Sequence, residues 1–146
     1  MKTSIFTLIL LLQINPLLHA AEVIIKAPNG TNLITTNISK KMQKKSLGEI
    51  TSDILIKNKL NARIDLINGQ RVFNTISKWA PKTVSNADES EVNSMGWCYK
   101  VNNQSTEKMP DQVKLQKNDV AVWYYGRVVK RDGEWQSDCK PVVELE

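Results

Sequence analysis

Gly96-Trp97-Cys98-Tyr99-Lys100-Val101-Asn102-Asn103, followed after a polar connection containing Pro110 by Asn118-Asp119-Val120-Ala121-Val122-Trp123-Tyr124-Tyr125, is the stretch that decides the fold. It holds two of the four Trp and all three Tyr of the chain. Trp97, Tyr99 and Val101 alternate with Cys98 and Lys100, and the run ends on an Asn pair suited to a turn, which together specify a strand with one aromatic face. The second run places Val120, Val122 and Tyr124 on one side and Ala121, Trp123 and Tyr125 on the other. Aromatic side chains on both faces predict a central strand covered from two directions.

Working outward, Val23, Ile25 and Ala27 alternate with Ile24 and Lys26 and lead into Pro28-Asn29-Gly30, after which Leu33 to Ile38 is again rich in Ile and Thr. This spells a hairpin around Asn-Gly. Ser46 and Glu49 stand at capping-box spacing, and Leu47, Ile50 and Ile54 share one helical face, so one amphipathic helix is expected, ending near Asn58 to Asn61. Ile56 and Leu60 fall off that face. A second hairpin is expected from Arg63 to Ile76 about Asn68-Gly69, with Ile64 and Leu66 on one face. Trp79 to Met95, poor in apolar residues and containing Pro81, Asp88, Glu89 and Glu91, reads as a long surface loop. Gly126 to Trp135, turning at Asp132-Gly133, is a third hairpin candidate.

Lys2, an apolar run centred on Ile5 to Leu12, and small residues at Ala20 and Ala21 form the pattern of a secretory signal peptide, with cleavage after Ala20 or Ala21. The expected organisation is a signal peptide over residues 1–20 and a single domain over 21–146. The mature chain is then exported, to a periplasmic or extracellular location, and no later run approaches the roughly 20 apolar residues of a transmembrane helix. Removal of Lys2 lowers the formal charge from +5 to +4, with 19 basic against 15 acidic residues. The basic cluster Lys40, Lys41, Lys44 and Lys45 reads as a solvated turn, and the absence of interleaved basic and aromatic residues argues against nucleic acid. In an oxidising compartment Cys98 and Cys139 most simply form one disulfide, and closing that loop constrains the unfolded chain by about 4 kcal/mol. Two free thiols are the alternative.

The chain contains one histidine, His19, inside the expected signal peptide. Ser-His and Cys-His nucleophile pairs and His-containing zinc sites are therefore excluded from the mature chain. Neither a Walker A loop nor G-x-G-x-x-G occurs. Asp88, Glu89 and Glu91 lack the spacing of a calcium loop and read as solvated acids, so no metal site is expected. Two converging carboxylates remain an open route to catalysis, but the balance points away from an enzyme. Aromatic residues supply the better functional lead, either as ligand contacts or as core.

The central stretch resembles the C-terminal domain of transcobalamin and its bacterial relatives, a family of secreted domains marked by G-W-x-Y-x-V-N-G and then G-D-x-I-x-W. Asn103 and Asn118 stand where that family has Gly, and both are residues that tolerate left-handed turns. The segment from Asn74 to Met95 resembles an insertion, and the separate helical barrel that holds cobalamin in transcobalamin has no counterpart. The resemblance implies an α+β, β-grasp-like fold, a mixed sheet packed on one amphipathic helix. It also implies an exported non-enzymatic module that binds a small soluble ligand, cobalamin in the best-known case, with no resident cofactor. The alternative is an envelope interaction or structural domain whose exported protein partner completes the site. The expected ligand-contacting residues are Trp97, Tyr99, Asn102, Asn103, Trp123 and Tyr125.

Overall fold

Alternating apolar residues close an N-terminal hairpin, β1 (Ala21–Lys26) against β2 (Asn32–Ile38), in the computed structural model, which describes residues 20–85, 91–136 and 139–142. The expected signal peptide and the acids Asp88 and Glu89 lie outside the described residues, apart from Ala20. At the hairpin turn, Gly30 adopts φ +83° and its N–H donates to Ala27 O at 2.9 Å. That left-handed geometry is the reason for glycine there.

Helix α1 (Leu47–Lys57) starts where the capping box places it: Glu49 N–H donates to Ser46 Oγ at 3.2 Å and Ser46 N–H donates to the Glu49 carboxylate at 2.8 Å. Leu47, Ile50, Thr51, Ile54 and Leu55 are buried, whereas Ile56 is 75% exposed. At the C-terminus Leu60 N–H donates to Leu55 O and Lys59 N–H to Ile56 O, with Lys59 at φ 54°. This pair of bonds is a Schellman stop, and it folds Leu60 back onto the core.

Next come β3 (Ala62–Ile67) and β4 (Gln70–Ile76), joined by the two-residue turn Asn68-Gly69 with both φ values positive. They form a two-stranded sheet of their own. Ile64 packs on the core, but Leu66 is 69% exposed, so the face they share is only partly covered.

Asn74 to Ile76 belongs to β4, as the hairpin reading expects, but the stretch from Trp79 to Met95, expected to be a long loop, is largely strand among its described residues. There β5 (Lys82–Ser85) pairs with the start of β6 (Glu91–Val101), from Lys82 opposite Met95 to Ser85 opposite Val92. Every β5 side chain is exposed. An edge strand of this kind is held by backbone pairing rather than burial, and so leaves no apolar alternation in the sequence to read.

After β6 the chain turns through Asn102-Asn103 into β7 (Gln104–Ser105), crosses a 3-10 turn at Pro110–Gln112, and returns as β8 (Val120–Arg131). β6 and β8 pair antiparallel without a register break from Glu91 opposite Arg131 to Val101 opposite Ala121. β9 (Glu134–Trp135) and β10 (Lys140–Pro141) add short segments along β8. The main sheet runs β2-β1-β8-β6-β5, with β1 parallel to β8 and the other pairs antiparallel. The architecture is therefore α+β, a mixed sheet with one α-helix among the described residues.

Val23, Ile25, Ala121 and Trp123 face the helix side, where α1 covers them. Trp123 is 2% exposed, and its indole N–H donates to Thr51 Oγ1 at 3.0 Å, joining helix to central strand. Replacing Thr51 by Val keeps the shape and removes this acceptor. A stability loss of about 1–2 kcal/mol is expected, the cost of leaving one buried donor unpaired, and urea unfolding measures it.

On the opposite face, Cys98 and Cys139 are joined as a disulfide with a Cα–Cα distance of 6.5 Å. Tyr124 donates to Cys139 O at 2.9 Å and is 7% exposed. The tail thus covers the second face of β8 that its aromatic pattern calls for. A Cβ at Gly126 would overlap Cys139 Sγ, so glycine makes room for the disulfide to cross the strand.

Candidate functional site

The outer edge of β6 is paired in two separated pieces. β5 takes Val92 to Met95 and β7 takes Lys100 and Val101, which leaves Gly96 to Tyr99 without a strand partner on that edge among the described residues. A cleft of about 340 Å³ opens at this gap. Trp97, Tyr99 and Trp123 line it from the main sheet, Phe73 from β4, and Lys108 and Met109 from the connection before β8.

The rings pack as two neighbouring groups, Phe73-Trp123-Tyr99 in the cleft wall and Trp97 with Tyr125 and Trp79 beside it. Phe73 stands 4.7 Å from Trp123, Trp123 stands 5.0 Å from Tyr99, and Trp97 meets Tyr125 edge-on at 5.8 Å and Trp79 at 6.4 Å. Centroid separations in this range suit offset and edge-to-face aromatic packing. The polar tips of these side chains are already engaged. Trp97 Nε1 donates to Trp79 O at 3.0 Å, Tyr99 Oη to Lys108 O at 2.5 Å, and Tyr125 Oη to Ala80 O at 2.6 Å. Burial pushes the Tyr99 phenol up to about 12, against a hydrogen bond with Thr106 that pulls it down. Tyr99 is thus a neutral donor that pins the connecting loop, and the rings face the cleft as apolar surface.

One ion pair fixes the wall opposite the sheet. Asp111 accepts from Arg71 N–H at 2.7 Å, from the Arg71 guanidinium at 2.7 Å and from Ser46 Oγ at 3.1 Å. Burial alone would push its carboxyl up, but the Arg71 and Ser46 hydrogen bonds outweigh that and hold it below its ordinary value. β4, the 3-10 turn and the N-terminus of α1 are therefore locked together beside the cleft.

Of the residues picked out by sequence, Trp97, Tyr99 and Trp123 line this cleft. Trp123 is at the same time core. Tyr125 is 2% exposed and lies behind Trp97, against a smaller hollow that also touches Pro28 and Gly30. Asn102 and Asn103 form the β6–β7 turn with φ 50° and 64°. Asn102 donates to Asp119 at 2.7 Å and accepts from Val120 N–H at 2.9 Å, while Asn103 accepts from Lys100 Nζ at 2.5 Å. Neither lines the cleft. Sequence reading did not pick out Phe73, Lys108 or Met109, which come from segments distant in the chain. Pro110, which closes the connection, was the one local signal beside them.

Glu91 accepts from Arg131 Nε at 2.9 Å and from Asn93 at 3.1 Å. Among the described residues no group of three or more His, Cys, Asp or Glu is gathered to hold a metal ion. None of the described helices is long and apolar enough to cross a membrane.

A family model described as a domain of unknown function (DUF4430) matches residues 82–127, from β5 through the cleft edge of β6 into β8. No curated protein matches the chain. Among solved structures, the chain is similar to the crystal structure of a "putative metal binding protein" from Ruminococcus gnavus ATCC 29149, at 13% identity and a TM-score of 0.48, with 72% of this chain and 93% of that chain covered.

Proposed function

We propose that this protein is an exported, non-enzymatic binding module whose small ligand enters the cleft beside Gly96 to Tyr99. The observation that carries the reading is an aromatic-lined cleft of about 340 Å³, a size within the range of small-molecule sites, whose ring tips are satisfied by the protein itself. The parallel β1–β8 pair, flanked by antiparallel neighbours and crossed by one helix, supports a β-grasp-like, transcobalamin-like fold. The disulfide suits an oxidising compartment and a chain divided into a signal peptide and one exported domain. A corrinoid such as cobalamin would engage a cleft of this size only in part, which makes it a probe rather than the expected ligand.

The test is Trp fluorescence of protein purified from the exported fraction, titrated with cobalamin, cobinamide and small aromatic or peptide compounds. A saturable change is expected for at least one probe. Ser105, exposed on β7 and lining the cleft, gives the control: Ser105→Phe fills the mouth and should weaken binding by about tenfold or more, the equivalent of one lost contact. Titrations that are flat at high micromolar concentration, or that ignore Ser105→Phe, would sink the reading.

A protein-interaction role draws on a different observation, the adjacent apolar residues Leu66 and Ile67 exposed near the β3–β4 turn. A stoichiometric partner recovered from the native compartment, and lost on replacing both by Ser, is the outcome that role requires.

A further inference from the structure

We infer that the occupant of the cleft is a short extended peptide, held along the unpaired edge of β6 by main-chain hydrogen bonds. This rests on the cleft being the binding site and concerns what kind of ligand enters it.

Backbone direction in β6 follows from parity. Asn102 N–H donates to Val120 O at 2.9 Å, so even-numbered residues of this unbroken antiparallel pair address β8. Odd-numbered residues address the other edge, where Met95 lies opposite Lys82 and Val101 opposite Gln104. Between them, the N–H and C=O groups of Trp97 and Tyr99 point into the gap. No backbone partner for them occurs among the described residues. Sheet edges are usually blunted by charge, proline or a bulge. Here the edge is recessed in an aromatic cleft instead.

Donors and acceptors repeating at the spacing of a strand match another extended backbone better than any other ligand of this size, the geometry of strand addition. The gap also sets a length. Four residues bounded by β5 and β7 span about 13 Å, room for roughly three residues of peptide in line. Phe73 and Met109 then offer an apolar wall to one side chain. Charge agrees as well: Glu107 and Lys108 both line the cleft, and neither forms an ion pair among the described residues. A free tripeptide brings one ammonium and one carboxylate to meet them.

The probe is the free tripeptide Val-Phe-Val, with analogues carrying an N-methyl group on each backbone amide in turn and one with both termini blocked. Amide hydrogen exchange is followed on the labelled exported protein. Without peptide, the Trp97 and Tyr99 amides should exchange about a hundredfold faster than those of Cys98 and Lys100, as expected of open against paired backbone. Peptide should slow Trp97 and Tyr99 selectively, and N-methylation of at least one amide should weaken binding about tenfold, the loss of one hydrogen bond. Trp97 and Tyr99 amides already protected in the free protein would overturn the proposal, as would peptide binding indifferent to N-methylation. Cobinamide binding that Ser105→Phe abolishes, with no peptide bound, overturns the peptide class and leaves the cleft as the site. If no probe responds to Ser105→Phe, both fall.

Discussion

Replacing Cys98 and Cys139 together by Ser is expected to cost about 4 kcal/mol, the loop-closure entropy for a crosslink of this span, and to lower the thermal midpoint by roughly 15 °C. The bridge spans 41 residues and ties β6 to the C-terminal segment across β8. Losing it frees the chain that covers Tyr124 and that bears Cys139 O, the acceptor of the Tyr124 hydroxyl. Scanning calorimetry of the protein and of the double variant measures the effect, and intact mass with and without reductant confirms the starting state. Gly126 separates the disulfide's role from general packing. Gly126→Ala puts a methyl group onto Cys139 Sγ and also 3.1 Å from the Tyr124 ring and 3.2 Å from Lys140 O. In the disulfide-bonded protein it should destabilise by about 2 kcal/mol, a typical overpacking cost, and in the serine background by clearly less. Equal costs in both backgrounds would mean that the disulfide is not what requires glycine there.

The hairpin at Asn29-Gly30, the capping box at Ser46 and Glu49, and the aromatic pair β6 and β8 were legible because each is a local signal, a turn residue or an alternation within a dozen positions. Cys98 and Cys139 were legible for a different reason: a chain with two cysteines allows one intramolecular pairing. The parallel register of β1 on β8 left no local trace, since nothing in Val23 to Ile25 encodes its distance from Val120. β5 escaped for the opposite reason, being an exposed edge strand whose side chains carry no apolar alternation. The cleft was half legible. Trp97 and Tyr99 share the face that strand parity assigns them, and they do line it. Its other wall comes from Phe73 and Met109, brought there by the packing of a separate hairpin and a 3-10 turn. Asn102 shows how a turn residue can look available in sequence while both ends of its amide are bonded to Asp119 and Val120.

Asp111 carries the second large expected effect. Its side chain is 10% exposed and it meets three donors from two other segments, Arg71 N–H, the Arg71 guanidinium and Ser46 Oγ. Asp111→Ala leaves the Arg71 amide and a partly buried guanidinium without their acceptor, and the expected cost is about 3 kcal/mol, at the lower end for breaking a buried pair because Arg71 is 32% exposed and can rehydrate. The pH dependence follows in sign from the depressed carboxyl. A group whose folded pKa lies below its unfolded value contributes stability in full above the unfolded value, about 3.9, and loses it as pH falls through the folded one. Urea midpoints of wild type and Asp111→Ala should therefore differ fully at pH 7 and converge below about pH 4. A gap that stays constant to pH 3 would show that the charge is not what matters. Gly48 supplies an independent check through a reversal of sign. In the first turn of a helix, Gly→Ala ordinarily stabilises by up to about 1 kcal/mol. Here the new Cβ would overlap Asp111 Oδ1 and stand 3.3 Å from Asp111 N, so Gly48→Ala should destabilise the wild type. With Asp111 already replaced by Ala, the carboxylate obstacle is gone and the same substitution should cost much less or become favourable. A double-mutant cycle between the two positions reads that coupling directly. It also tests whether the clamp that seats Arg71, and with it Phe73 in the cleft wall, is built on this one carboxylate.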